Sequence, residues 1–208
     1  MGMPKGCPSL SLANIVETMN DIKIKQVRGR GPMNDFFKDC LKLPYKSNTQ
    51  DNPEHEKQVE ELLIKHGLEY ESQPNGIQNS PDFYIYYKGK RYSVECKSSK
   101  GPSPMYNGGL PKPDVIYIFS SKKYNETTVF NANDVVSDSK RKLYDELLEK
   151  FNTVLTEMRQ IPEWSEDTRG FDFYMRAMYT QSGGGVKTNY FTHKDREMCE
   201  RNVLEREY

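Results

Sequence analysis

Three residues between Ser80 and Lys100 have the types and spacing to do chemistry together: Asp82, Glu95 and Lys97. Two strand-like runs, Phe83 to Tyr87 and Arg91 to Ser98, flank the turn "KGK". If Lys88 and Gly89 alone form the turn, Tyr87 faces Lys90, and the same antiparallel register makes Asp82 face Glu95. Cross-strand partners share a face, with Cβ atoms about 5 Å apart. Lys97, two residues beyond Glu95, falls on that face too. A longer turn with a bulge would shift this register by one. Two adjacent carboxylates repel unless something neutralises them, and hard oxygen ligands suit Mg²⁺. A lysine beside them can hold a water or hydroxide and offset developing negative charge, an arrangement that serves hydrolysis of a phosphodiester. The plainer alternative is a solvated Glu95/Lys97 ladder on an exposed sheet face. It sits poorly with "YSVECKSS", followed by the compact apolar run "DVIYIF", because charges on an interior strand need a reason.

The elements that must hold these residues are legible around them. "PEHEKQVEELLIKHG" predicts a helix: Pro53 suits its first turn, acidic residues come early, and Lys65 and His66 precede Gly67. Val59, Leu62, Leu63 and His66 form one face of it. "LEYES" reads as a short strand, and "DVIYIF" as a buried one. "SDSKRKLYDELLEKFNTVLTEMRQ" predicts a long helix with Leu143, Leu147, Phe151, Val154 and Met158 at helical spacing, a stripe expected to pack in the core. "GFDFYMRAMYTQ" reads as a further strand. Residues 9 to 21 and a segment from Asn34 read as shorter helices. A tail helix follows from Thr192, with Thr192 and Asp195 spaced like a capping box. The order implies an α/β sandwich around a mixed sheet.

Pro81-Asp82 together with Glu95-Cys96-Lys97 resembles the signature of the PD-(D/E)xK nuclease superfamily, most closely a type II restriction endonuclease. The element order from about Pro53 to Gln181 also looks like that family's αβββαβ core, a central mixed sheet flanked by helices. The resemblance implies that Asp82 and Glu95 ligate Mg²⁺, with one or two ions, and that the Cys96 carbonyl adds a ligand. It implies that Lys97 positions the attacking water. Such proteins often carry a further glutamate on the helix before the hairpin. Glu56 fits the helix's inward edge best, with Glu60 as the substitute.

The remaining composition sets bounds. The 208 residues suffice for a single domain: a core over 53–181, an N-terminal extension over 1–52 for DNA binding or dimerisation, and a C-terminal loop and helix. Thirty basic and thirty acidic residues cancel, so binding to DNA must come from a local patch. Arg28 and Arg30 in "RGRG" could lie against phosphates. Lys100, Tyr106 and Asn107, in the loop leaving the ExK strand, are candidate DNA contacts, and "SGGGVK" is a lesser one. Four scattered cysteines lack metal spacing and suggest reduced thiols in a soluble, cytoplasmic protein. His55 reads as a surface residue. No long apolar run and no Walker-type glycine loop occur. The expectation is a Mg²⁺-dependent endonuclease for double-stranded DNA, with a homodimer among its possible forms. A repair or junction nuclease, or a non-catalytic nucleic-acid-binding protein on a decayed nuclease fold, is the alternative.

Overall fold

The computed structural model describes residues 31–46, 53–76, 79–180 and 190–208. Two helices come first, α1 (Pro32–Cys40) and α2 (Pro53–Lys65), each with proline in its first turn, where the missing N–H costs nothing. Strands β1 (Glu69–Ser72), β2 (Phe83–Tyr87), β3 (Lys90–Ser99), β4 (Met105–Tyr106), β5 (Ile116–Ser121) and β6 (Glu126–Asn131) follow. Then come α3 (Ala132–Val135), α4 (Asp138–Met158), α5 (Pro162–Ser165), β7 (Tyr179–Thr180), a 3₁₀ turn (Tyr190–Thr192) and α6 (Arg196–Leu204). Five strands form one mixed sheet in the order β1-β2-β3-β5-β6, with helices against it. β3 and β5 run parallel and the other neighbours antiparallel. The class is α/β.

The turn between β2 and β3 is the two-residue form that the spacing predicts. Lys88 (φ 50°) and Gly89 (φ 72°) both take positive φ, the conformation whose twist matches a hairpin. Tyr87 faces Lys90 and Phe83 faces Val94. The Lys88 ammonium donates to a backbone oxygen of Tyr208 at 3.0 Å, clasping the turn to the end of the chain.

Both sheet faces are covered. On one, Phe83, Ile85, Val94, Cys96 and Ile118 meet Phe36 and Phe37 of α1, Val59 and Leu63 of α2, and Tyr208. On the other, Tyr117, Phe119 and Phe130 meet Tyr106, Phe191 and Cys199. Double coverage explains why β5 reads as a continuous apolar run rather than an alternating one. Its two serines, Ser120 and Ser121, are also fully buried, and Ser121 donates to the Gly101 carbonyl at 2.7 Å.

The structure corrects several expectations. The long helix α4 does not enter the core: none of its residues is buried, and the stripe of Leu143, Leu147, Phe151, Val154 and Met158 is exposed. The parallel step from β3 to β5 is made by a loop carrying the short strand β4. "GFDFYMRAMYTQ" is a strand only at Tyr179–Thr180, where it pairs with β4. The far edge of the sheet is β6, which the sequence reading did not anticipate, and α6 packs on it with Thr128 donating to Glu200 at 2.6 Å. Phe191, Cys199 and Ala132 pack with Tyr117, Phe119 and Phe130 in the core on that face. α6 begins at Arg196, and its N-cap Asp195 makes no side-chain capping bond, so the capping box is not formed. Residues 9–21, Arg28, Arg30 and "SGGGVK" lie outside the described residues. Cys40, Cys96 and Cys199 are buried. Among the described residues no helix is long and apolar enough to cross a membrane.

α1 belongs to this core as firmly as the strands do. Phe37 is fully buried, 4.9 Å from Phe36 between ring centroids and stacked on Tyr208 at 5.7 Å. Phe37→Ala is expected to cost about 3–5 kcal/mol in urea denaturation. A loss below about 0.5 kcal/mol, typical of surface substitutions, would remove α1 from the core.

Candidate active site

The hairpin register carries the site. On β3, Tyr92, Val94 and Cys96 point into the core under α1 and α2, so Ser93, Glu95 and Lys97 point to the opposite face. The β2–β3 ladder ends at Phe83–Val94, and Asp82 stands one residue beyond it. The Asp82 carbonyl accepts from Gln73 N–H at 2.7 Å. Its carboxylate accepts from the Cys96 N–H at 2.6 Å. Asp82 therefore caps an amide that no β2 residue is left to pair. A strand residue's N–H and C=O point to the same side, so the Cys96 carbonyl is also directed toward Asp82.

Glu95 is 5% exposed, and the Lys97 ammonium donates to its Oε1 at 2.6 Å. Its other oxygen, Oε2, is buried without a hydrogen-bond partner. A buried anionic oxygen left unpaired is costly unless a cation compensates it. Sequence reasoning missed Tyr117, which the parallel ladder places beside Glu95. Its hydroxyl accepts from the Lys112 N–H at 3.0 Å, and its ring stacks on Phe130 and meets Tyr106 edge-on. Only the β3–β5 register, which needs the fold, could have revealed it.

The two helix candidates separate. Glu60 accepts from the Tyr70 hydroxyl at 3.0 Å and so turns toward β1. Glu56 stands near enough to Asp82 that its charge acts on that carboxyl. Burial, then the Glu95 charge, pushes the Asp82 carboxyl up to about 7, with Glu56 adding to the rise. The Cys96 N–H and the Lys97 ammonium oppose the rise without cancelling it. The same negative groups, after burial, raise the Cys96 thiol well above its ordinary range, so its side chain is inert.

Among the described residues no three His, Cys, Asp or Glu side chains stand ready-grouped about a metal position. The donor chemistry nonetheless fits a hard divalent cation. A carboxyl forced toward neutrality by its like-charged neighbours, and the orphaned Glu95 Oε2, are what such a cation would relieve.

The expected DNA contacts divide. Lys100 at the start of the loop leaving β3 and Asn107 just after β4 are both exposed, and the Asn107 carbonyl accepts from Arg176 at 3.0 Å. Tyr106 does not join them: it is 4% exposed, packed against Tyr117, and its hydroxyl is enclosed. A lone tyrosine among Pro and Gly looks like a reader in sequence, but pairing with Tyr179 draws it inward. His55 is likewise fully buried rather than at the surface, with Nε2 3.2 Å from the Ile118 carbonyl. Burial drives it down to about 4. No protein-family model, curated protein or solved structure matches the chain.

Asp82 and His55 give opposite pH dependences. The folded chain holds the Asp82 proton more tightly than an unfolded aspartate, ordinarily 3.8, so this group's contribution to stability falls as pH rises from about 4 to about 7. Folded His55 holds its proton less tightly than an unfolded histidine, ordinarily 6.5, so its contribution is full above about 6.5 and is lost as pH falls toward about 4. Asp82→Asn keeps an acceptor for the Cys96 N–H and removes the buried charge. The variant should melt above the parent at alkaline pH in the absence of metal. Its advantage should vanish near pH 4, leaving the acid loss from His55 unopposed. Identical melting curves across this range would show that Asp82 carries no buried charge.

Proposed function

We propose that this chain is a metal-dependent endonuclease of the PD-(D/E)xK type that hydrolyses phosphodiester bonds in double-stranded DNA, in the manner of a type II restriction enzyme. The observation that carries the reading is the gathering of Asp82, Glu95 and Lys97 at the open end of one hairpin, with Glu56 close by and a buried carboxylate oxygen unpaired. The five-stranded sheet, with α2 before the hairpin and a parallel strand beyond it, supports the family's core. The site departs from that pattern in having no helix between β3 and β5.

In this reading Asp82, Glu95 and the Cys96 carbonyl hold Mg²⁺, and Glu56 supports them from α2. Bound there, the ion would polarise the phosphate and lower the proton affinity of a bound water. Lys97 orients the attacking water and offsets negative charge that develops on the phosphate. The Cys96 N–H fixes the Asp82 carboxylate in the plane of the sheet. Burial keeps bulk water from screening these charges.

Asp82→Ala, Glu95→Ala and Lys97→Ala should each lower Mg²⁺-dependent cleavage of plasmid DNA by about a hundredfold or more. Glu56→Gln should impair it more than Glu60→Gln. Discrete bands from the parent protein support site-specific cutting, and cuts confined to branched or damaged DNA support a repair enzyme. No cutting of any substrate in Mg²⁺ or Mn²⁺ contradicts catalysis altogether.

In this reading the exposed Lys100 and Asn107 read bases, since Lys donates to guanine and Asn pairs with adenine in the major groove. Lys100→Ala or Asn107→Ala should weaken cognate binding by about 1–3 kcal/mol for a lost base contact. Binding to random duplex at the same salt should change far less. Equal losses on both duplexes would assign the loop to backbone contacts.

A further inference from the structure

We propose that α4 is a self-association arm, and that its exposed stripe is covered by α4 of a second copy of this chain lying antiparallel to it. The inference is independent of the nuclease reading. Leu147, Phe151, Val154 and Met158 follow one another at spacings of four, three and four, the repeat that keeps one seam of a helix facing a partner helix. All four are exposed, Phe151 at 52%, although the helix spans 21 residues. The chain does come back to α4, but only near its two ends. Arg159 bonds Asp172 at 2.6 and 3.0 Å and Tyr144 meets Tyr179 edge-on, while the stripe stays open.

Charge selects the occupant and its direction. In an antiparallel pair centred between Phe151 and Val154, Phe151 of each copy meets Val154 of the other, and Leu147 meets Met158. Lys150, which flanks Phe151, then lies beside Glu157 of the other copy, and twofold symmetry makes this contact twice. Leu148 falls against Leu155 on the opposite flank, extending the apolar seam. A parallel pair would instead place Lys150 beside Leu155 and leave its charge without a partner. Self-complementarity of this kind is what a twofold interface requires of a single surface.

Sedimentation of the whole chain across micromolar to hundreds-of-micromolar concentrations tests the proposal. The expected result is a reversible shift from the 24.2 kDa monomer toward twice that mass. Phe151→Asp should raise the dissociation constant at least tenfold with an unchanged circular dichroism spectrum, since the site is exposed in the monomer. Lys150→Glu should weaken the dimer several-fold, and adding Glu157→Lys in the same chain should restore it. A parent protein that stays monomeric at every concentration overturns the proposal, because the stripe is then left uncovered or is covered by another partner, residues 1–30 of the chain included. A dimer indifferent to Phe151→Asp and to the charge exchange also overturns it, because the contact then lies elsewhere.

Discussion

The register of one hairpin is the constraint on which the rest depends. A two-residue turn with both residues at positive φ leaves a single alignment of β2 and β3. That alignment sends Val94 and Cys96 into the core and leaves Glu95 and Lys97 on the other face. A slip by one residue would bury the two charges beneath α1 and α2 and take the apolar pair out of that core. The core therefore enforces the register, and the register builds the site. Lys88 adds a tie from the turn itself to Tyr208, whose ring packs against Phe37 and Tyr92.

What the hairpin gathers is electrostatically unfavourable for the fold alone. Asp82 has lost solvent and faces the charges of Glu95 and Glu56, and one amide and one ammonium do not offset this. Packed apolar residues in their place would be neutral or stabilising in many proteins. A site that keeps such a cluster beside a well-filled core is better explained by chemistry than by stability. The contrast with Asp39 is useful. Lys42, Lys65 and His66 surround that carboxylate, in that order of effect, and hold it well below the usual carboxylate range. Both aspartates are charged residues among charged neighbours, and only Asp82 is left with a deficit of positive charge.

Local signals were legible where one element determines its own geometry. The turn residues gave the hairpin register, and the proline, acidic and basic positions gave α2 to within a residue. The approach of Glu56 rather than Glu60 to Asp82 followed the helix's inward edge. Signals failed where the answer depends on a distant partner. The α4 stripe says that one face needs cover and not what provides it. "ETTVFN" has too little alternation to announce β6, which is buried on both faces because α6 and α1 return to it. His55 and Tyr106 are polar side chains whose burial is decided by Ile118 and Tyr179, far away in sequence.

The central claim is that the Asp82–Glu95 pair is built to receive a divalent cation, and the titration of Asp82 itself tests it most directly. Carboxyl carbon shifts of selectively labelled aspartate, assigned with Asp82→Asn, would follow Asp82 across the pH range with and without saturating Mg²⁺. The account predicts a midpoint near 7 in the absence of metal, falling well below the ordinary 3.8 when Mg²⁺ is bound. A midpoint that is the same in both conditions would contradict it.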